Sequence, residues 1–165
     1  MTNQQTNGGL TVEDRAAIDD LFAHYAWALD CGDDDAFAEI FTDDATIEDP
    51  SGRYTAPDAP RKIMAAMRAN TTFPGRQHWI AQTVLEGTGR ECSARSFAMV
   101  TARHDSGATA LHLLAAYFDR LVKIDQRWYV ADRLIKPWRG ELVEAFPEVR
   151  EQPAWSQAQQ KGPRR

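Results

Sequence analysis

Four long strand-like segments, joined by very short turns, restrict the possible folds of this chain more than any other feature. They cover residues 77–86, 91–104, 109–124 and 127–135, and the turns between them have only two to four residues. Connections this short join neighbouring antiparallel strands, because a parallel crossover needs a dozen residues or more. The sequence therefore predicts an antiparallel meander between residue 76 and about residue 137.

Both faces of this predicted sheet are apolar. With His104 paired to Thr109, one face carries Phe97, Met99, Thr101, His112, Leu114, Ala116 and Phe118. The other carries Ala98, Val100, Ala102, Leu111, Leu113, Ala115 and Tyr117. A sheet with one solvated face would alternate apolar and polar residues. We therefore expect helices on one face and a second subunit on the other, in a homo-oligomer that is a dimer or trimer.

Residues 108–116 within this region have a second interpretation. They are so rich in alanine and leucine that they could form a helix. Hairpin signals lie on both sides of the segment, and they favour a strand.

The first half of the chain predicts three helices. Apolar residues recur at spacings of three and four in a long helix that begins after Thr11 and ends at Gly32. Asp33 or Asp34 then caps a short second helix. A third covers residues 57–70, opened by a proline.

Helices followed by a sheet define an α+β fold. Short strands are expected over residues 45–48 and 53–55. Three N-terminal helices packed on a curved antiparallel sheet would form a cone that encloses a pocket, in a domain covering residues 11–140. Residues 1–10 and 141–165 are polar and lack a core pattern, which predicts a disordered N-terminus and an irregular C-terminal tail.

Composition and charge exclude several functional classes. The 165 residues carry a net charge of −5 and no basic stretch, so nucleic acid is not an expected partner. No apolar run reaches membrane-spanning length, and no signal peptide is visible at the start, so a cytoplasmic location away from membranes is expected. The histidines lack metal-ligand spacing and no glycine-rich phosphate loop is present, so neither a metal nor another cofactor is expected.

Three polar residues interrupt the apolar patterns. Tyr25 lies on the apolar face of the first helix, Asp30 lies in its last turn, and His78 opens the first long strand. Each has a structural interpretation, as a core tyrosine, a solvated helix end and a hydrogen-bonded core histidine. If Asp30 lies opposite His78, however, its carboxylate would fix the imidazole tautomer and leave the other nitrogen to accept a proton. A nearby tyrosine could donate a hydrogen bond to a carbonyl or leaving oxygen.

The order of these features resembles the SnoaL-like branch of the NTF2-like superfamily, over residues 11–137. The matching features are Tyr25 with Asp30, the FTDDA segment at 41–45, His78, and the ending Tyr117-Phe118-Asp119 with Trp128 and Arg133. This branch includes scytalone dehydratase, bile-acid dehydratases and hexachlorocyclohexane dehydrochlorinase. In several of these lyases, an aspartate at the end of the first helix pairs with a strand histidine to abstract a proton.

The resemblance implies an NTF2-like cone and a cofactor-independent, dehydratase-like lyase. Its substrate would be a small, cyclic, largely apolar molecule. Catalytic roles fall to Asp30, His78 and Tyr25, and pocket positions to Arg133 and Tyr117.

Three more residues complete the expected pocket, and the reaction itself stays open. Scytalone dehydratase has a second histidine in its site, and His112 is the candidate for its counterpart. Phe97 and Met99 are expected to line the substrate site. The superfamily also contains isomerases, polyketide cyclases, non-catalytic subunits of ring-hydroxylating dioxygenases and binding proteins, so the fold does not decide the reaction. The alternatives are an isomerase or cyclase with the same base, and a non-catalytic subunit or ligand-binding protein.

Overall fold

A computed structural model of the chain describes residues 9–70, 75–103 and 106–138. Its elements in chain order are α1 (Val12–Cys31), α2 (Asp34–Ala38), β1 (Phe41–Asp49), β2 (Gly52–Thr55), α3 (Asp58–Ala69), β3 (Gln77–Gly87), β4 (Glu91–Arg103), β5 (Thr109–Ile124) and β6 (Arg127–Pro137). Most of the predicted N-terminal segment 1–10 and all of the predicted tail 141–165 lie outside the described residues.

Local capping chemistry sets the ends of the first two helices. Thr11 and Asp14 form a capping box, in which the Asp14 backbone N–H donates to Thr11 Oγ1 at 3.0 Å and the Thr11 N–H donates to Asp14 Oδ2 at 3.1 Å. Gly32 ends α1 in the left-handed region, with φ of 77°. Asp33 then caps α2 by accepting the Ala36 N–H at 3.0 Å.

The sheet has six strands rather than the four-stranded meander alone, in the order β2-β1-β6-β5-β4-β3. β1 pairs with β6 in parallel, so the expectation of a wholly antiparallel sheet was wrong. The strand covers nine residues, including Asp43 and Asp44, which in sequence look like part of a turn. A register shift between Phe41 and Thr46 accommodates these polar residues within the strand.

Strands β3–β6 form the predicted meander, and residues 109–124 are a single strand. The hairpin register differs from the expected one, because Arg103 pairs with Thr109. An irregularity opposite Val100 and Thr101 then takes up one extra residue of β5. As a result, Leu111 pairs with Thr101, whereas the expected register put these two residues on opposite faces.

The helices cover the inner face of the sheet, and none of the described helices covers its outer face. Together they form an α+β cone whose sheet does not close. Side chains of α1 pack on small inner-face residues such as Ala98 and Ala115, which are 2% and 1% exposed. The outer face exposes Trp79, Phe97, Met99, Leu111 and Leu114. Among the described helices, none combines the length and apolarity needed to cross a lipid bilayer.

Candidate functional site

Asp30 and His78 are in direct contact. Asp30 lies in the last turn of α1, and His78 is the second residue of β3. The carboxylate Oδ1 lies 2.5 Å from His78 Nδ1, while Oδ2 accepts the backbone N–H of His78 at 2.6 Å. The side chains are only 7% exposed for His78 and 14% for Asp30. One carboxylate therefore holds both the ring and the backbone of the histidine.

This double contact decides which imidazole nitrogen can take a proton. A carboxylate next to Nδ1 favours the tautomer in which Nδ1 carries the hydrogen. Nε2 then has the free lone pair, and the carboxylate stabilises the imidazolium that forms when Nε2 accepts a proton. The backbone contact fixes the carboxylate relative to β3, so the ring orientation does not depend on the ring contact alone. A histidine held in this way can act as an oriented general base.

A cleft of about 580 Å³ lies beside this pair, between α1 and β3. Its volume is in the range of small-molecule sites. The apolar part of its lining is Phe22, Ala23, Ala26, Trp27, Trp79, Ile80 and Ala81. The polar part is Asp19, Asp30, Cys31, Arg76, Gln77, His78 and Thr83. A cleft that combines apolar and aromatic side chains with polar groups beside a histidine is suited to a small ligand that has an apolar body and a polar group.

Tyr25, Tyr117 and Arg133 lie together in the core and do not line this cleft. They are 4%, 3% and 1% exposed. The Arg133 guanidinium carbon lies 4.1 Å from the Tyr25 ring centroid and 4.8 Å from that of Tyr117. Burial raises the pKa of the Tyr25 phenol, and the charge of Arg133 offsets this only in part. Tyr25 is therefore a neutral core side chain in this structure.

The charge of Arg133 is balanced by Asp119. Arg133 Nε donates to Asp119 Oδ1 at 2.7 Å and Nη2 donates to Oδ2 at 2.9 Å. Burial alone would lower the pKa of the guanidinium, but the Asp119 carboxylate raises it, so the pair is ionised. Arg133 Nη1 is buried without a hydrogen-bond partner among the described residues.

Phe97, Met99 and His112 are not brought to the Asp30–His78 pair. Because His78 pairs with Val100, the side chains of residues 97 and 99 point to the opposite face of the sheet. Phe97 is 45% exposed and Met99 37% exposed on that outer face. His112 is an exposed residue between the paired positions 111 and 113, at the irregularity of β5.

The sequence patterns did not identify the residues that line the cleft around the Asp30–His78 pair. Trp27 is 72% exposed and lies off the apolar stripe of α1, a position that by itself indicates a surface residue. Arg76 precedes His78 by two residues, and this spacing on an extended chain is the signal that could have identified it. In the part of the chain that the structure describes, no group of three or more His, Cys, Asp or Glu side chains is placed to hold a metal ion.

Helices packed on one face of a curved sheet define an NTF2-like fold, also called cystatin-like. Residues 10–134 match the family model of the SnoaL-like domain, and the chain therefore belongs to the SnoaL-like family, whose members process small molecules. A comparison with curated proteins found no match.

Three solved structures illustrate the shared fold. An NTF2-like protein with a cystatin-like fold from Novosphingobium aromaticivorans is 20% identical, with 82% of this chain and 88% of that chain covered and a TM-score of 0.70. A putative scytalone dehydratase from the same organism is 23% identical, with coverage of 77% and 85% and a TM-score of 0.67. ActVI-ORFA from Streptomyces coelicolor is 22% identical, with coverage of 74% and 96% and a TM-score of 0.63. At these identities the comparison establishes the fold and not the reaction.

Proposed function

We propose that this protein is a cofactor-independent lyase of the dehydratase type, with His78 as its base and Asp30 as the residue that orients it. The observation that carries the proposal is the contact of both Asp30 oxygens with His78, one on Nδ1 and one on the backbone N–H. A histidine that served only packing would not need a carboxylate on its ring at the edge of a cleft. The cleft beside the pair supports a small, cyclic, largely apolar substrate.

The proposed reaction removes water across two neighbouring carbons. Nε2 of His78 takes a proton from the carbon next to an activating carbonyl group, and the electrons of that C–H bond move toward the carbonyl oxygen. As the carbon–carbon double bond forms, the C–O bond to the β-hydroxyl group breaks. The imidazolium returns the proton to the leaving oxygen, which departs as water. His78 thus ends in its starting state, and no cofactor is required.

Tyr25 takes no part in the proposed reaction. It was expected to polarise the carbonyl group, but it is 4% exposed and does not line the cleft. The same holds for the substrate contacts expected from Tyr117 and Arg133, which are buried in the core. A double-bond isomerase would use the same base and differ only in the carbon to which the proton returns.

Deuterium exchange tests the base directly, before any substrate is known. In D₂O, a set of cyclic β-hydroxy ketones incubated with the protein should exchange the proton next to the carbonyl group, as followed by NMR. Asp30→Asn should lower the exchange rate by about 10⁴, because the amide can stabilise the wrong tautomer and cannot stabilise imidazolium. His78→Ala should lower it at least as far.

Asp19→Asn is the matched control for the exchange experiment. Asp19 lies on α1 and lines the same cleft, but it is exposed and has no contact with His78 in the part of the chain that is described. Its replacement should leave exchange within a factor of a few of wild type. Ketones that bind to the wild-type protein without any exchange would contradict the proposal and identify a ligand-binding protein.

A further inference from the structure

Arg76 lines the cleft next to the proposed base. It immediately precedes β3, two residues before His78, and is half-buried. Its Nη2 donates to the Met67 carbonyl oxygen at 2.5 Å, and its Nη1 lies 3.7 Å from Met67 Sδ. Met67 belongs to the last turn of α3, where carbonyl oxygens are free to accept such bonds. The end of α3 therefore holds the guanidinium in place.

Within the residues that the structure describes, most of the hydrogen-bonding capacity of Arg76 is unused. A guanidinium has five N–H donors, and the contacts with Met67 use two of them. Arg133, by contrast, gives two donors to the carboxylate of Asp119. Arg76 forms no ion pair with any carboxylate among residues 9–70, 75–103 and 106–138. Its charge is therefore not directly paired within the described residues, and the side chain is half-shielded from solvent. Asp30 lines the same cleft, but its carboxylate is bonded to His78.

The reaction proposed for His78 needs such a group. When a base removes the proton next to a carbonyl group, negative charge develops on the carbonyl oxygen, and a fixed donor or cation there lowers the barrier. Among the described residues that line the cleft, Arg76 is the one lysine or arginine. Asp19 also lines the cleft, but it precedes Asp30 by eleven residues, about 16 Å along a helix axis, and so does not offset Arg76 beside His78.

We propose that Arg76 binds the oxygen of the substrate that becomes negatively charged when His78 takes the proton. The assignment rests on the proposed function and adds a specificity to it: the substrate presents a carbonyl oxygen at the Arg76 end of the cleft. The C–H bond breaks, an N–H bond forms at His78 Nε2, and the electron pair moves to the oxygen that Arg76 holds. Arg76 gives up no proton, because a guanidinium is not deprotonated in proteins.

A phenolate tests this assignment without a substrate, because it mimics an enolate as a planar ring with an anionic oxygen. A nitro-substituted 2-naphthol is suitable, since its phenolate absorbs in the visible range and reports the ionisation of the bound probe. The wild-type protein should bind the phenolate more tightly than the neutral naphthol. Arg76→Gln should weaken phenolate binding about tenfold or more and change the binding of the neutral form little. Arg90→Gln is the control, since Arg90 is exposed at the turn between β3 and β4 and does not line the cleft.

In the binding experiment, two outcomes would overturn the assignment. One is equal binding of the phenolate by Arg76→Gln and by wild type. The other is loss of the preference in Arg76→Lys, a variant that keeps the charge and can still donate to the Met67 carbonyl, so that the fold of the α3 end is preserved. The exchange experiment on Asp30→Asn is independent of both. Failure of proton exchange with the phenolate preference intact would contradict the role of His78, whereas exchange that persists in Arg76→Gln at the wild-type rate would contradict the role of Arg76.

Discussion

At the scale of single residues, the clearest contrast is between two carboxylate pairs, one with a histidine and one with an arginine. Asp30 holds His78 at the edge of a cleft, whereas Asp119 holds Arg133 inside the core. The sequence does not distinguish the two pairs. Each consists of an acidic and a basic residue on elements that become neighbours only in the folded chain. Their surroundings differ, and from them we infer a task in chemistry for the first pair and a task in the packing of the inner face for the second.

Breaking the core pair should be costly. Asp119→Asn leaves the Arg133 charge buried without its partner, and we expect a loss of about 3–5 kcal/mol in the free energy of unfolding. Glu48→Gln removes the partner of Arg53 in an exposed pair, and there we expect about 0–1 kcal/mol. Urea denaturation of both variants checks the contrast. Similar losses in the two would show that Asp119 is not a structural partner of Arg133.

The two cysteines should differ in reactivity. Burial raises the pKa of the Cys92 thiol to about 12, and the side chain is 2% exposed. Cys31 is exposed and lines the cleft beside Asp30. Alkylation of the folded protein at about pH 8 should therefore modify Cys31 and leave Cys92 intact, because the thiolate is the reacting form. Peptide mass spectrometry reads the result, and rapid labelling of Cys92 in folded protein would contradict it.

At the scale of elements, Asp14 ties α1 to the sheet. In addition to its capping role, its Oδ1 accepts from Lys123 Nζ at 2.8 Å and from Trp128 Nε1 at 3.1 Å. The bond from Lys123 first, then the capping bond from the Thr11 N–H and, to a smaller extent, the bond from Trp128 lower the pKa of Asp14 from 3.8 to about 2, against the opposing effect of burial. A carboxyl group whose pKa is lowered by folding stabilises the folded state at pH values above its pKa in the unfolded chain. This stabilisation is lost as the pH falls through the lowered pKa of the folded state.

The Asp14 contribution should be visible as a pH dependence. Asp14→Asn should cost about 2 kcal/mol in the free energy of unfolding at pH 6, and the difference from wild type should shrink as the pH falls from about 4 to about 2. Denaturation of both proteins over this pH range makes the measurement. A difference that stays constant with pH would mean that the carboxylate charge is not what stabilises the folded state.

Local signals in the sequence account for most elements and for the main pair of the site. Capping residues defined the ends of α1 and α2, and short turns defined β3–β6, because these are effects of neighbouring residues. The parallel pairing of β1 with β6 involves strands about ninety residues apart, and nothing local encodes it. The burial of Tyr25 and Arg133, and the cleft beside Arg76, likewise depend on how α1 sits on the sheet. Helix periodicity alone does not give that position.

At the scale of the whole molecule, no helix or strand of the described residues covers the outer face of the sheet. Trp79, Met99 and Leu114 are paired neighbours across three strands, and each is at least 37% exposed. A contiguous apolar patch of this kind is typical of an association surface. A second copy of the chain is the partner that we expect there. Its position would leave the Asp30–His78 pair, on the inner face, free.

Analytical ultracentrifugation measures the oligomeric state and so tests the expected dimer directly. At micromolar concentration the wild-type protein should be a dimer or a larger oligomer. Leu114→Lys should shift it toward the monomer, because a charge would then be buried in the interface. A wild-type protein that sediments as a monomer over the whole concentration range would contradict the dimer.

The position of one proton on His78 tests the central claim most directly. The claim is that Asp30 holds the Nδ1–H tautomer and thereby leaves Nε2 as the base. ¹⁵N NMR of the imidazole ring at about pH 9, where histidine is ordinarily neutral, distinguishes the two nitrogens. We predict a protonated Nδ1 and an unprotonated Nε2 in the wild-type protein, and loss of this preference in Asp30→Asn. A proton on Nε2 in the wild-type protein would contradict the account, because the nitrogen available to the cleft would then have no lone pair to accept a proton.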